Sequence, residues 1–120
     1  MTKQFLHGVF VTALEGSSDY WAEILKYHWG FKEKDGNYRD DLDGFFAEVV
    51  PRDEPDSELR IDKTTILDGI AQIIDDNIRI SPDRMEKIRE AARLNDAGDI
   101  DADLADCIVQ AGLFGEIVYG

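Results

Sequence analysis

The chain has 120 residues, 43% of them hydrophobic, which is enough to build the core of one domain without disulfides or a structural metal. Its 26 acidic and 13 basic residues give a formal net charge of −13, which opposes direct binding to nucleic acid or to an anionic membrane. The single cysteine implies no oxidising compartment, and neither a signal-like nor a membrane-spanning apolar run is present, so the sequence predicts a cytoplasmic location.

The first half of the chain predicts a helix followed by an aromatic hairpin. Residues 3–14 place apolar side chains at helical spacing. Residues 19–33 fit both a helix and a strand. Their aromatic content and the following Lys34-Asp35-Gly36-Asn37 turn favour a strand, paired with a second strand at 44–50. The charged, proline-containing stretch 51–58 indicates a loop.

The second half predicts a short strand, Leu59 to Asp62, and then three helices. The first helix is capped by Thr64 or Thr65, and the second runs from Ser81-Pro82 to about Leu94. The third is capped by Asp101 and ended by Gly115. The sequence therefore predicts a single α+β domain over residues 1–120, with a small antiparallel sheet that includes the aromatic hairpin and packs with about four helices.

Acidic residues are concentrated in two stretches. Residues 33–62 carry 11 acidic and 4 basic side chains, whereas residues 96–106 carry five aspartates and no basic residue. Carboxylates gathered on one face would imitate a phosphate backbone and attract the lysines and arginines of a nucleic-acid-binding protein. The alternative is a solvated acidic surface that only keeps the protein in solution.

The sequence predicts no metal site, no cofactor and no catalytic centre. Asp99 to Asp103 resembles the opening of a calcium loop, but Leu104 and Gln110 stand where that loop needs glycine and glutamate. A second cluster, formed by Asp40, Asp41 and Asp43, fits a polar turn better than a cation site. The two histidines lack metal-site spacing. Cys107 lies on an apolar helix face, which favours an inert thiol.

Aromatic residues are dense between positions 20 and 46 and occur on both faces of the predicted hairpin. Trp29 and Phe31 are expected in the core. Tyr20 and Tyr38 fit the core and an exposed interface equally well, because tyrosine and tryptophan beside acids are typical of binding surfaces.

Two stretches carry a resemblance: Glu15 to Trp21, which reads EGSSDYW, and Asp103 to Gly120, which reads DLADCIVQAGLFGEIVYG. Together they resemble small acidic proteins encoded by actinobacterial phages and prophages. The resemblance implies a phage-borne protein that binds host machinery stoichiometrically, as anti-CRISPR and anti-restriction proteins do, some of which mimic DNA. It implies no site residue.

The function predicted is a non-enzymatic inhibitor whose DNA-mimic-like acidic surface blocks a basic nucleic-acid-binding site of a host protein, such as a CRISPR or restriction component. One alternative is a self-associating structural or accessory phage protein, with the aromatic hairpin or the tail 113–119 as a homodimer interface. Another is a small ligand-binding or enzymatic domain that uses His28 or the Asp40 cluster. The predicted partner-binding residues are Tyr20, Trp21, Asp35, Tyr38, Asp40, Asp41, Asp43, Asp53, Glu54, Asp56, Glu58, Asp99, Asp101 and Asp103.

Overall fold

The computed structural model describes the backbone of residues 1–120 and every side chain except that of Ser17. A π-helical turn follows the first helix, and a short 3-10 turn precedes the last one. The α+β class predicted from the sequence is confirmed. In chain order the elements are α1 (Lys3–Thr12), β1 (Ala22–His28), β2 (Gly30–Lys32), β3 (Tyr38–Asp40), β4 (Phe46–Pro51), β5 (Leu59–Asp62), α2 (Lys63–Ile74), α3 (Pro82–Leu94) and α4 (Ala102–Phe114).

Side-chain caps fix where the helices begin, because each cap satisfies a backbone N–H that the helix leaves unpaired. Ser81 accepts from the Arg84 amide and Asp101 accepts from the Leu104 amide, as the sequence predicts. The cap of α2 is Asp62, so the prediction of Thr64 or Thr65 is wrong. Thr65 instead completes a capping box with Asp62, which starts the helix at Lys63. Gly115 ends α4 in the left-handed conformation, at φ 71°.

The main sheet has the antiparallel order β1-β4-β5, and β2 pairs separately with β3. The Lys34–Asn37 turn therefore joins β2 to β3, and the predicted single strand over 19–33 is in fact two strands. They separate at Trp29, whose carbonyl accepts from the Asp41 amide and from His7 Nε2. These bonds direct the chain out of the main sheet and into a second hairpin.

The core lies between the main sheet and the helices, and all four helices contribute buried side chains to it. Helices α2 and α4 approach closely at Gly69 and Gly112, where an added Cβ would overlap a backbone carbonyl of the facing helix. Phe31 is 45% exposed, so the expectation that it is a core residue is wrong, and Trp29 is only partly buried. Within the described chain, no helix has both the length and the apolarity needed to cross a bilayer.

Candidate partner-binding surfaces

The acids of residues 33–62 do not form one continuous patch. Strand β4 begins at Phe46, opposite His28 and beside the β2–β3 hairpin, and ends at Pro51, just before the loop of residues 52–58. At about 3.4 Å per residue, these two ends are about 17 Å apart. The hairpin and the loop therefore offer two separate surfaces, and the acids near the start of α4 belong to a third region.

The loop of residues 52–58, called here the acidic loop, carries four exposed acids. None of the four forms an ion pair with any described side chain. The single base of the loop is Arg52. Its guanidinium donates to the backbone carbonyl of Asp19 at 3.0 Å and to the Asp19 carboxylate at 3.2 Å. The acidic loop therefore presents a concentrated negative charge to solvent. Its acids are Asp53, Glu54, Asp56 and Glu58.

A groove of about 400 Å³ runs beside the acidic loop. One wall is a stack of Trp21 on Tyr119, with ring centroids 4.9 Å apart and planes 5° from parallel. The Tyr119 hydroxyl donates to Asp53 Oδ1 at 2.8 Å, which ties the acidic loop to this wall. Tyr20, 55% exposed, stands at the rim. The groove thus places an exposed aromatic ring next to unpaired carboxylates.

A buried carboxylate, Asp106 of α4, holds this region together. It accepts hydrogen bonds from Ser18 Oγ at 2.9 Å, Tyr20 Oη at 2.7 Å, Trp21 Nε1 at 2.8 Å and Gln110 Nε2 at 2.9 Å. Burial, together with the bond to Asp106, raises the pKa of the Tyr20 phenol to about 12. No buried polar atom among the described side chains lacks a partner. The turn before β1 is therefore fixed to α4.

The C-terminal tail is fixed to the same cluster. Gln110 Oε1 accepts from the backbone amides of Val118 and Tyr119, at 2.9 and 2.8 Å, and Gln110 Nε2 donates to the Tyr119 carbonyl. Sequence reasoning missed Asp106 and Gln110. The signal was present, because both are polar residues within the otherwise apolar face of α4, and buried polar groups require partners.

Trp21 cannot serve as the apolar anchor that the sequence analysis names. Its side chain is 3% exposed, packed against Tyr119 and hydrogen-bonded to Asp106. A partner could reach only the small part of it that borders the groove. Tyr20 keeps an accessible ring even though its hydroxyl is used inside the cluster.

The hairpin region retains fewer free acids than its sequence suggests. Asp41 bonds to His28 at 2.8 Å and accepts from the amides of Asp43 and Gly44, which lowers the pKa of the Asp41 carboxyl. Asp43 forms ion pairs with Lys3 at 2.7 Å and with Lys63 at 3.4 Å, which lower its pKa as well. These contacts are those of a polar turn. Asp35, Tyr38 and Asp40 remain exposed.

The acids around the start of α4 have mainly structural partners. Asp101 caps the helix, and Asp103 pairs with Arg84 at 2.7 Å. Asp99 is exposed and has no ion pair with a described side chain. Among the described residues, no group of three or more histidine, cysteine, aspartate or glutamate side chains is placed to hold a metal ion.

The depression at the Asp40 cluster and the Cys107 thiol are two features that could take part in a chemical reaction. A wide, open depression of about 610 Å³ includes Asp40, Asp41 and Asp43, but two of these carboxylates are already engaged as described above. Burial, followed by the charge of Asp103, raises the pKa of the Cys107 thiol to about 11, so this group stays protonated at neutral pH. Neither feature presents an activated nucleophile.

The fold and these surfaces define an acidic α+β protein whose acidic loop and β2–β3 hairpin lie at opposite ends of its main sheet. Comparisons of the chain with protein-family models, with curated protein sequences and with solved structures found no match.

Proposed function

We propose that this chain is a non-enzymatic binding protein that docks its acidic loop onto a basic, nucleic-acid-binding surface of another protein. The observation that carries the proposal is the set of four exposed acids in residues 53–58 that lack a cationic partner among the described side chains. Carboxylates left unpaired in the free protein are available to lysines and arginines of a partner without breaking an internal ion pair.

The local structure of the acidic loop keeps its acids close together. Two turns fold this segment, closed by bonds from the Glu54 amide to the Pro51 carbonyl at 3.1 Å and from the Ser57 amide to the Glu54 carbonyl at 3.0 Å. Asp53 and Glu54 are adjacent, whereas Asp56 and Glu58 follow at two-residue intervals. Carboxylates gathered in one compact loop can compete with a phosphate backbone for the same lysines and arginines. The exposed ring of Tyr20 adds the apolar contact that charge alone does not supply.

The resemblance to phage-borne acidic proteins suggests what kind of partner the acidic loop binds. A protein that occupies a nucleic-acid channel excludes the nucleic acid, so it acts as a stoichiometric inhibitor. In that role the partner is a component of a host defence system, such as a CRISPR or restriction protein. The groove beside the acidic loop then receives a side chain from the rim of that channel.

Two matched variants test where the binding charge lies. A loop-neutral variant carries Asp53→Asn, Glu54→Gln, Asp56→Asn and Glu58→Gln. A distal-neutral variant carries Glu15→Gln, Asp68→Asn, Asp75→Asn and Asp76→Asn, which are also exposed and have no ion pair with a described side chain. Each removes four charges from −13, which leaves −9. Both variants should fold, since all eight positions are on the surface.

The probe is a synthetic peptide rich in lysine and arginine, measured by calorimetry at low and at physiological salt. The wild-type protein should bind it, with an affinity that falls about tenfold or more as salt rises. The loop-neutral variant should lose most of this affinity, and the distal-neutral variant should retain most of it. Equal losses in the two variants would show that only total charge matters and would contradict a docking loop.

The inhibitor role has a separate test in bacterial cells. Phage plating efficiency is measured in hosts with an active CRISPR or restriction system that express the wild-type protein, the loop-neutral variant or the distal-neutral variant. Restored plating with the wild-type and distal-neutral proteins, but not with the loop-neutral protein, is the expected result. Restored plating by all three would remove the acidic loop from the mechanism.

A further inference from the structure

The β2–β3 hairpin exposes two large aromatic side chains, Phe31 and Tyr38. Its two strands pack mainly against each other rather than against the body of the protein. Tyr38 is 57% exposed, and Tyr27, at the end of β1, is 55% exposed. Large aromatic rings left in water at one place indicate a surface that is covered by another molecule.

The charge of this region differs from that of the rest of the chain. Residues 26–40 carry four basic and three acidic side chains, a balance of +1, so the remainder carries −14. Two copies of this protein repel each other over most of their surfaces, because each carries −13. Residues 26–40 are one of two stretches that escape this acidic excess, the other being residues 79–93, which carry five basic and three acidic side chains. Repulsion between copies is therefore weak at the hairpin, and a basic partner gains little from approaching it.

One face of the hairpin carries charges that complement each other. The register pairs Gly30 with Asp40 and Lys32 with Tyr38, which places these four residues on a common face. Tyr38 lies diagonally over Gly30, where an added Cβ would overlap its phenol. Lys32 and Asp40 occupy the other two corners. Both are exposed, and neither has an ion-pair partner among the described side chains.

We infer that this hairpin face binds a second copy of the same chain. A two-fold axis along the Tyr38–Gly30 diagonal exchanges the other two corners, so Lys32 of each copy meets Asp40 of the other. The same axis brings the two Tyr38 rings together, with Tyr27 at the flank. The contact is isologous, as in most homodimers, and it closes after two copies.

The free edge of β1 gives a less suitable contact between copies. A register shift between Ile24 and Lys26 interrupts its pairing with β4, and Lys26 projects from the same strand. Bulges and edge lysines are the devices that keep strand edges from pairing with other chains. Self-association therefore uses the hairpin face rather than a continuous sheet across two copies.

Charge-reversal variants of the full chain test the inference, with mass measured by light scattering and sedimentation from micromolar to submillimolar concentration. The wild-type protein should reach twice the 13.6 kDa of one chain. Lys32→Glu and Asp40→Lys should each raise the dimer dissociation constant at least about tenfold, because two attractive pairs become two repulsive ones. Lys34→Glu, the same charge change at the hairpin turn, should leave the dimer largely intact.

Mixing the two disrupted variants gives the sharpest outcome. A Lys32→Glu chain and an Asp40→Lys chain carry opposite charges at both exchanged corners, so together they should form a heterodimer although each alone is monomeric. Thermal unfolding of every variant confirms that it is folded. A wild-type protein that stays monomeric throughout, a dimer insensitive to Lys32→Glu, or a mixture that stays monomeric would overturn the inference. The loop-neutral variant should dimerise normally, which separates this test from that of the proposed function.

Discussion

The acidic loop and the aromatic hairpin lie at opposite ends of the same sheet, and they differ in how they are supported. The acidic loop adjoins a wall of Trp21 and Tyr119 that is fixed to α4 through Asp106, whereas the hairpin is joined to the body mainly by the bonds around Trp29. The loop concentrates one sign of charge, while the hairpin mixes both signs around exposed rings. Net charge alone therefore does not locate a binding surface, and the pairing of each carboxylate must be known.

The largest effect should come from the buried carboxylate that supports the acidic loop. Asp106→Asn replaces a charged acceptor of four hydrogen bonds with an amide that cannot accept all of them. We expect the free energy of unfolding to fall by about 3 kcal/mol. Chemical denaturation measures this loss, and tryptophan fluorescence should report the loosened Trp21.

The matched control for that change is Asp99→Asn, at an exposed aspartate without an ion pair among the described side chains. This variant should keep nearly all of the wild-type stability. If Asp106→Asn were equally harmless, the turn before β1 and the groove wall would have some other support, and the rigid character assigned to this end of the molecule would be wrong.

A smaller effect is expected at the other end of the sheet. Gly30→Ala places a methyl group against the Tyr38 phenol and the Arg39 carbonyl, so both the ring and the pairing of the two strands must shift. We expect a loss of about 1–2 kcal/mol in the free energy of unfolding, together with weaker self-association. Gly16→Ala is the control, because a Cβ there meets no atom within 4 Å. Normal dimerisation of Gly30→Ala would show that the Tyr38 position is not part of the contact.

The Tyr20 phenol gives a pH-dependent signal of the groove. Its pKa is raised to about 12 from 10.0, so the fold favours the protonated phenol. The stabilisation is complete below about pH 10 and is lost as the pH rises through about 12. Ultraviolet absorbance should show a tyrosine that ionises near pH 12, and Tyr20→Phe should remove it. A titration unchanged by Tyr20→Phe would contradict the contact with Asp106.

The smallest effects should come from acids that already have partners. Asp41 is bonded to His28, and Asp43 is paired with Lys3 and Lys63. Their replacement by asparagine should reduce binding of the cationic peptide less than Asp53→Asn does. Calorimetry under the conditions used for the loop-neutral variant measures the difference. A larger loss at Asp43 than at Asp53 would move the docking surface to the hairpin end.

Local signals in the sequence predicted much of the fold. The Ser81 and Asp101 caps, the short strand before α2 and the Gly115 terminus follow from side chains that act within a few residues. The departure of the chain from the main sheet at Trp29, where it enters the β2–β3 hairpin, was not predictable in this way. It depends on bonds from His7 and Asp41 that join positions 22 and 12 residues away, respectively.

For the candidate surfaces, too, the sequence carried the local information but not the long-range contacts. Composition identified the acid-rich stretches and the aromatic residues near them. It could not separate Asp41 and Asp43, which are bonded to His28 and to two lysines respectively, from the acids of the loop that have no ion pair. Nor could it show that Trp21 is buried while Phe31 is exposed, because both occur in the same aromatic stretch. Long-range contacts decide these distinctions.

Nuclear magnetic resonance gives the most direct test of the central claim, which is that the acidic loop is the docking surface. The amide signals of the 120-residue chain are followed while the lysine- and arginine-rich peptide is added at physiological salt. The account predicts shifts confined to residues 53–58 and the neighbourhood of Tyr20. Shifts of equal size around Glu15, Asp68 and Asp75 would contradict it, because they would show that the peptide responds to the charge of the whole molecule.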